Sequence, residues 1–393
     1  MSTGFSAGAQ TLGYLFQARY ALYLVLTNQE ELEISIEALD DIAFEDKGSP
    51  AELLQLKHHT NRASLSDSST DLWKTIRIWS TYLKEKRISL PGPLLTLVTT
   101  AEASQDSVAQ LLRAGKNRDS KLAAQKLLQV AQTSKNESLV KAFSAFSALT
   151  SSEQELLAGS IQIIDSSPNI IDITPKIKAK LVAVRREHRD SVYERLEGWW
   201  FAKVVKHLSD DSINLISGFE VRDKICEINE QFRPDALPID FFDLELSEQP
   251  DISTDSRRFV EQLKEIALSN KRLEKAILDY YKAFEQRSRW AREDLLIGDE
   301  LERDERKLID EWERYMLSLQ EEAADLEDEG QYRTLGRKVF NWVDQSADIR
   351  IRSQVTEEYV MRGSYHILAD QNPPQVFWHP KFVERLTQLL PLT

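Results

Sequence analysis

The chain has 393 residues, 41% hydrophobic and 29% charged, with a formal net charge of −14. A single core rarely grows past ~250–300 residues, so two domains are expected. A single cysteine, Cys226, excludes an intrachain disulfide framework. No apolar run approaches the ~18–20 residues needed to span a bilayer, and the N-terminus lacks a basic-then-apolar signal pattern, so a cytoplasmic location with no membrane contact is expected.

The charge is unevenly spread. Residues 1–215 carry 25 Lys+Arg against 26 Asp+Glu, while residues 216–393 carry 25 against 38. The nearly neutral first half can approach a polyanion; the acidic second half repels phosphate.

In chain order, residues 11–27 read as an amphipathic helix with Leu12, Leu15, Tyr20, Tyr23 and Leu24 on its apolar face. Residues 34–44 and 51–57 read as strands joined through a Gly48-Ser49-Pro50 turn. Residues 72–83 place Trp73, Ile76, Trp79 and Leu83 near helical spacing, and residues 94–99 (LLTLVT) read as a buried strand. Helices are expected over residues 107–130 and 139–146, and from Ser151, where a cap-like Ser precedes early acids. Residues 161–164 are a further candidate strand, and Thr174-Pro175 opens a mostly helical stretch to Leu208. The first half therefore fits an α/β domain, a mixed sheet flanked by helices. Trp199, Trp200 and Phe201 are either a base-stacking platform or core, and their helical setting favours core.

The texture changes after Ser217-Gly218, which divides the chain into domains 1–217 and 218–393. Cys226 sits in a helical pattern and reads as a buried structural thiol. Residues 232–255 are loop-like, and residues 257–284 carry apolar residues at helical spacing. After Ile297-Gly298-Asp299 a second helix runs through Leu308, Trp312, Met316 and Leu319. Two long charged helices with a short connection predict an antiparallel hairpin. The acidic run 321–329 reads as a solvated end, and Pro373-Pro374 introduces a terminal segment, residues 376–390.

Residues 41–57, DIAFEDKGSPAELLQLK, carry the chemistry. Gln55 and Lys57, two apart on a strand, project to one face, and a plausible register brings Asp41 beside them. A carboxylate, an amide oxygen and an ammonium converging on one point suit a hard divalent cation and a phosphodiester. Asp41 is the first-choice metal ligand, Gln55 offers its amide oxygen, and Lys57 polarises water or stabilises the pentavalent phosphorus. Glu37, four before Asp41 in an extended run, shares its face and is the best further metal carboxylate; Asp40 points the other way unless a bulge or turn swaps the pair. Gln17 faces the metal site or makes a structural contact. His58 and His59 follow the strand directly, and one of them, His58 first, serves as an acid or phosphate contact, or is an ordinary exposed or core histidine. The remaining histidines show no zinc spacing, and no Walker A or G-x-G-x-x-G sequence is present. The basic segments 113–126 and 176–189 are phosphate contacts or solvated helix faces.

These residues resemble the PD-(D/E)XK nuclease superfamily in its QXK variant, with Gln55-Leu56-Lys57 as QXK. Residues 13–22, 36–46, 53–59 and 71–79 follow in the order seen in the double-strand-DNA endonuclease domain of bacterial anti-phage effectors, and the chain is similar to the nuclease effectors of Lamassu-type, ABC-three-component systems. Residues 377–386 resemble the C-terminal regions of such effectors less distinctively. The resemblance implies a restriction-endonuclease-like N-terminal domain and a mainly α-helical C-terminal domain for partner binding and oligomerisation. It also implies Mg²⁺- or Mn²⁺-dependent hydrolysis of double-stranded DNA, partnership with an SMC-like ATPase and a small accessory subunit, and an active homo-oligomer. The rival reading is a non-catalytic DNA-binding or scaffold subunit with a degenerate nuclease fold.

Overall fold

The computed structural model describes residues 7–28, 32–46, 48–59, 61–209, 215–245, 252, 254–322 and 328–382. Residues 1–229 and 230–393 form two compact units. No described helix is long and apolar enough to cross a membrane.

The first unit opens with α1 (Ala7–Thr27), β1 (Glu33–Ile36), β2 (Ile42–Asp46), β3 (Ser49–Lys57), β4 (Ser64–Leu65), α2 (Thr70–Lys84), β5 (Leu94–Thr99) and β6 (Glu102–Ala103). It continues with α3 (Val108–Leu111), α4 (Ser120–Thr133), α5 (Val140–Ser147), α6 (Ser151–Ser160), β7 (Ile161–Ile164), α7 (Ile173–Lys180), α8 (Arg189–Ser209), β8 (Ile216–Ser217) and α9 (Gly218–Glu230). Six strands form one mixed sheet in the order β7-β5-β3-β2-β1-β8. β1, β2 and β3 are an antiparallel meander, while β3, β5 and β7 run parallel.

Alternation along the strands sorts the two faces. Ala43, Leu53, Leu95, Leu97, Ile161 and Ile163 bury against α2 to α6 in one core. Trp73 of α2 anchors it, edge-on to Phe143 at 4.6 Å. α1 covers the opposite face with α7 and α8, where the Trp200 indole is fully buried and donates to the Ala18 carbonyl at 2.7 Å.

Several expected elements are divided. The single strand expected over 34–44 is two strands: Ile36 pairs with Ile42, and the polar stretch 37–41 reverses the chain, with Glu37 in the left-handed region at φ 56°. The helix expected over 107–130 breaks at 112–119. There Gly115 takes φ 125°, Asp119 caps α4 by accepting from the Leu122 N–H at 2.9 Å, and the Arg118 guanidinium donates to the carbonyls of Leu112, Gly159 and Ile161. Thr150, not Ser151, caps α6, in a capping box with Glu153. Cys226 is exposed rather than buried, because α9 turns Val221 and Ile228 inward instead. α9 clusters with the first unit, so the units meet beyond the Ser217 boundary expected from texture.

The second unit contains α10 (Arg258–Glu265), α11 (Asn270–Arg292), α12 (Glu300–Glu322), α13 (Glu329–Gln345) and α14 (Glu358–Asp370). The helix expected over 257–284 breaks where Ala267 adopts φ 55°. The expected α11–α12 hairpin is replaced by a different pairing, with α14 as the main partner of α11. Gly363 explains this: a Cβ there would stand 2.1 Å from the Asp279 carbonyl oxygen and 2.4 Å from the Ala283 Cβ. Beside that close crossing, the Tyr359 hydroxyl donates to the Gln286 amide oxygen at 3.0 Å. Leu308, Trp312, Met316 and Leu319 of α12 join the same core around Tyr365 and Trp378. Part of the acidic run 321–329, part of the loop-like stretch 232–255 and the chain beyond Phe382 lie outside the described residues.

Gly363→Ala is expected to lower the urea midpoint of the second unit, at a cost of about 1–3 kcal/mol from overpacking. Gly198→Ala, on an exposed turn of α8 with nothing within 4 Å of the new methyl, should instead be neutral or stabilising by up to about 1 kcal/mol.

Candidate active site

The local fold brings Asp41, Gln55 and Lys57 together for a simple reason. β2 and β3 pair Ile42 with Leu54, so the position before Ile42 stands opposite Gln55. Gln55 and Lys57 then project to the same face by strand alternation. The Gln55 amide nitrogen donates to Asp41 Oδ1 at 3.3 Å and to Asp40 Oδ1. Its amide oxygen accepts from Lys57 Nζ at 2.9 Å. Lys57 Nζ also lies 3.2 Å from the Leu56 carbonyl oxygen and 3.6 Å from Asp41 Oδ2. The Leu56 N–H donates to that same carboxylate oxygen at 2.6 Å.

Access is graded across the cluster. Gln55 and Asp40 keep only 4% and 6% of their exposure, whereas the Lys57 and Asp41 side chains keep 22% and 14%. Lys57 and Asp41 are therefore open to solvent, with Gln55 and Asp40 packed more deeply beside them.

Glu37 and Asp41 do not share a strand face as expected. They oppose each other across the hairpin, with the Glu37 N–H donating to the Asp41 carbonyl at 3.1 Å. Burial pushes the Glu37 carboxyl up, and the Asp41 charge adds to this, while a hydrogen bond from Gln17 and the Lys57 charge oppose it. Gln17 thus reaches the site through Glu37. Asp40 does not point away: the turn folds it under Gln55, where Trp79 Nε1 of α2 donates to its Oδ2 at 2.7 Å. Burial pushes Asp40 up to about 7; the Trp79 hydrogen bond works against this and the Asp41 charge with it. His58 lies on the opposite face, against the Phe16 ring at 4.7 Å, its Nε2 accepting from the Ile170 N–H at 3.4 Å. Burial, then the neighbouring His59, lowers its pKa.

Two contacts escaped sequence reasoning, the Trp79–Asp40 bond and the pairing of His59 with Asp71. Trp79 read only as part of an apolar helix stripe, and nothing in the sequence ties its indole N–H to Asp40. His59 Nε2 lies 2.6 Å from Asp71 Oδ2, and this hydrogen bond raises the His59 pKa. Burial alone would raise Asp71, but the His59 hydrogen bond and the charges of His59, Lys57 and Lys74 hold it below the usual carboxylate range.

The donor set is one that Mg²⁺ accepts. The Asp41 carboxylate, the Gln55 amide oxygen and the Leu56 carbonyl already converge on one cation, the Lys57 ammonium. Three neighbouring carboxyls outnumber that single ammonium, an imbalance a divalent ion relieves. No group of three His, Cys, Asp or Glu able to hold a metal occurs among the described residues. The fit is therefore to an ion that takes few carboxylates and retains waters.

Residues 259–386 match the family model for C-terminal domain 7 of the ABC-three component systems, which supports membership of such an anti-phage system. No curated protein matches the chain. Among solved structures, the Acinetobacter baumannii Cap4 SAVED/CARF-domain containing receptor with the cyclic trinucleotide 3′3′3′-cAAA is 16% identical. That match covers 65% of this chain and 61% of the receptor, with a TM-score of 0.33. The Moraxella osloensis Cap4 SAVED/CARF-domain containing receptor is also 16% identical, with 65% of this chain and 60% of that one covered and a TM-score of 0.34. The chain thus spans about three-fifths of each receptor's length, and a likeness so distant carries no functional argument.

Trp79→Phe leaves a buried Asp40 oxygen without its donor and is expected to cost about 1–3 kcal/mol in urea unfolding. The same change in an Asp40→Ala background should cost clearly less, because the partner is already gone. Equal costs in the two backgrounds would show that the indole–carboxyl bond contributes nothing.

Proposed function

We propose that this ABC-three-component system protein is a metal-dependent endonuclease that cleaves double-stranded DNA, with a restriction-endonuclease-like first domain of the PD-(D/E)XK type. The observation that carries the reading is the cluster of Asp41, Gln55 and Lys57 at adjoining ends of β2 and β3. The order helix, three-stranded antiparallel meander, helix, parallel strand supports it, because that order presents Lys57 at the carboxyl end of the interior strand β3.

Asp41 and Gln55, with Glu37 beside them, are the residues that would hold Mg²⁺ or Mn²⁺. When bound, the ion supplies Lewis acidity and a more acidic water. Lys57 places a positive charge on the accessible side of the cluster, where it steadies charge building on the scissile phosphate. Asp40 and Trp79 orient the Gln55 amide, and Gln17 orients Glu37. The second unit would dock an SMC-like ATPase and a small accessory subunit and carry self-association, as in Lamassu-type systems; its matched domain and its acidity support that division. The protein would act in the cytoplasm as an oligomer that sets two active sites on one duplex.

One observation favours the rival reading of a non-catalytic DNA-binding or scaffold subunit: the Gln55 amide oxygen is turned onto Lys57, and no three-ligand group is formed. Plasmid cleavage separates the two. The full chain, with its partner subunits and Mg²⁺, is expected to cut, and EDTA to stop it. Lys57→Ala should reduce cleavage by about 10²–10³-fold in protein that remains folded at the assay temperature, and Asp41→Ala should remove the metal-dependent rate. Near-wild-type cutting by folded Lys57→Ala protein would overturn the assignment.

A further inference from the structure

A second basic feature lies on the same sheet edge as Lys57, outside the cluster described above. β3 and β5 pair Lys57 with Thr99, and β5 and β7 pair Val98 with Ile164. The next position on β7, Asp165, therefore stands level with Lys57, two strands away and on the same face. Asp165 anchors the Arg113 guanidinium through two hydrogen bonds, one of them 2.7 Å from Arg113 Nε. Arg113 forms part of the wall of a cavity of about 550 Å³ that Lys116, Arg118 and Lys126 also line, with Asp106 as the acidic member.

The cavity is built by the interruption between α3 and α4. Arg118 is pinned by three carbonyls and holds the loop in shape. Lys126 Nζ donates to the Asp106 carbonyl at 2.8 Å, which fixes its position without cancelling its charge. Lys116 is exposed at the rim. After Asp106, Asp165 and Glu102, whose charge also acts on Arg113, are set against these four cations, a small excess of positive charge remains in a concave pocket.

We propose that this cavity is a phosphodiester-binding cradle that receives the backbone of duplex DNA beside the cleavage site. Two inter-strand spacings, roughly 10 Å, separate Lys57 from Asp165, the residue that holds Arg113 at the cavity wall. A duplex backbone that crosses Lys57 and Arg113 passes the carboxyl ends of β3, β5 and β7, the usual ligand side of parallel strands, while Arg118 walls the cavity farther back along β7. Arg113, Lys116 and Lys126 each contact phosphate. The inference rests on the proposed DNA substrate but not on catalysis.

The test is fluorescence anisotropy of a labelled 30-base-pair duplex with the full chain in EDTA, across a salt series, so that no cleavage intervenes. Lys116→Glu with Lys126→Glu is compared with Lys135→Glu with Lys141→Glu, an equal charge change at exposed positions of the first unit away from the cavity. Lys116→Ala with Lys126→Ala guards against repulsion created by the new acids. The cavity variants should bind at least about tenfold more weakly, and the slope of log affinity against log salt should fall by about 2, near 0.9 for each lost phosphate contact. The control pair should stay within about threefold of wild type. If the cavity and control variants weaken binding equally, or the wild type binds no duplex, the cradle is refuted. Inorganic phosphate or a mononucleotide that saturates the wild type while duplex does not would assign the cavity to a small anion and overturn the DNA cradle. Should binding behave as expected while plasmid cleavage fails, the nuclease reading falls and the cradle stands.

Discussion

The first unit turns on one buried amide. Gln55 sits almost wholly out of water, and a buried amide must place both its N–H groups and its oxygen. Its nitrogen donates to Asp40 and Asp41 and its oxygen accepts from Lys57. The partners come from two pieces of chain, the aspartates from the β1–β2 turn and the lysine from the end of β3. Trp79 then reaches across from α2 to take the far oxygen of Asp40. Hairpin register, the seat of α2 and the pose of Lys57 are thus coupled through one side chain.

The same coupling explains why the cluster tolerates so much acid. Asp40 is buried with a carboxyl that resists ionisation, while Asp41 keeps contact with solvent, an ammonium and a backbone N–H. Neighbouring carboxyls in different environments divide the labour: one holds structure, the other is available to a cation.

The second unit solves a different problem. Its helices are heavily charged, and their apolar stripes are narrow, so close approach matters more than bulk. Gly363 lets α14 press onto α11, and the space so gained is filled by Tyr365 and Trp378 at the centre of the core. Its acidity repels phosphate, whereas the first unit carries the cavity lined by Arg113, Lys116, Arg118 and Lys126.

Periodicity and spacing alone determined much here. The alternation over 53–57 put Gln55 and Lys57 on one face, the apolar run 94–99 marked β5, and the Trp73, Ile76, Trp79 stripe marked α2, because these signals depend only on neighbours along the chain. The break within 34–44 was not legible, since isolated residues 37–41 are as compatible with an extended run as with a turn until β1 and β2 pair. That pairing, not strand alternation, set Glu37 against Asp41 and folded Asp40 beneath Gln55. Nor did the sequence show that Gly363 would choose α14 over α12 as the partner of α11, that Cys226 would face outward, or that Arg113 would be held level with Lys57 by Asp165. Each of these is decided by contacts between residues far apart in sequence, whose energies no local pattern encodes.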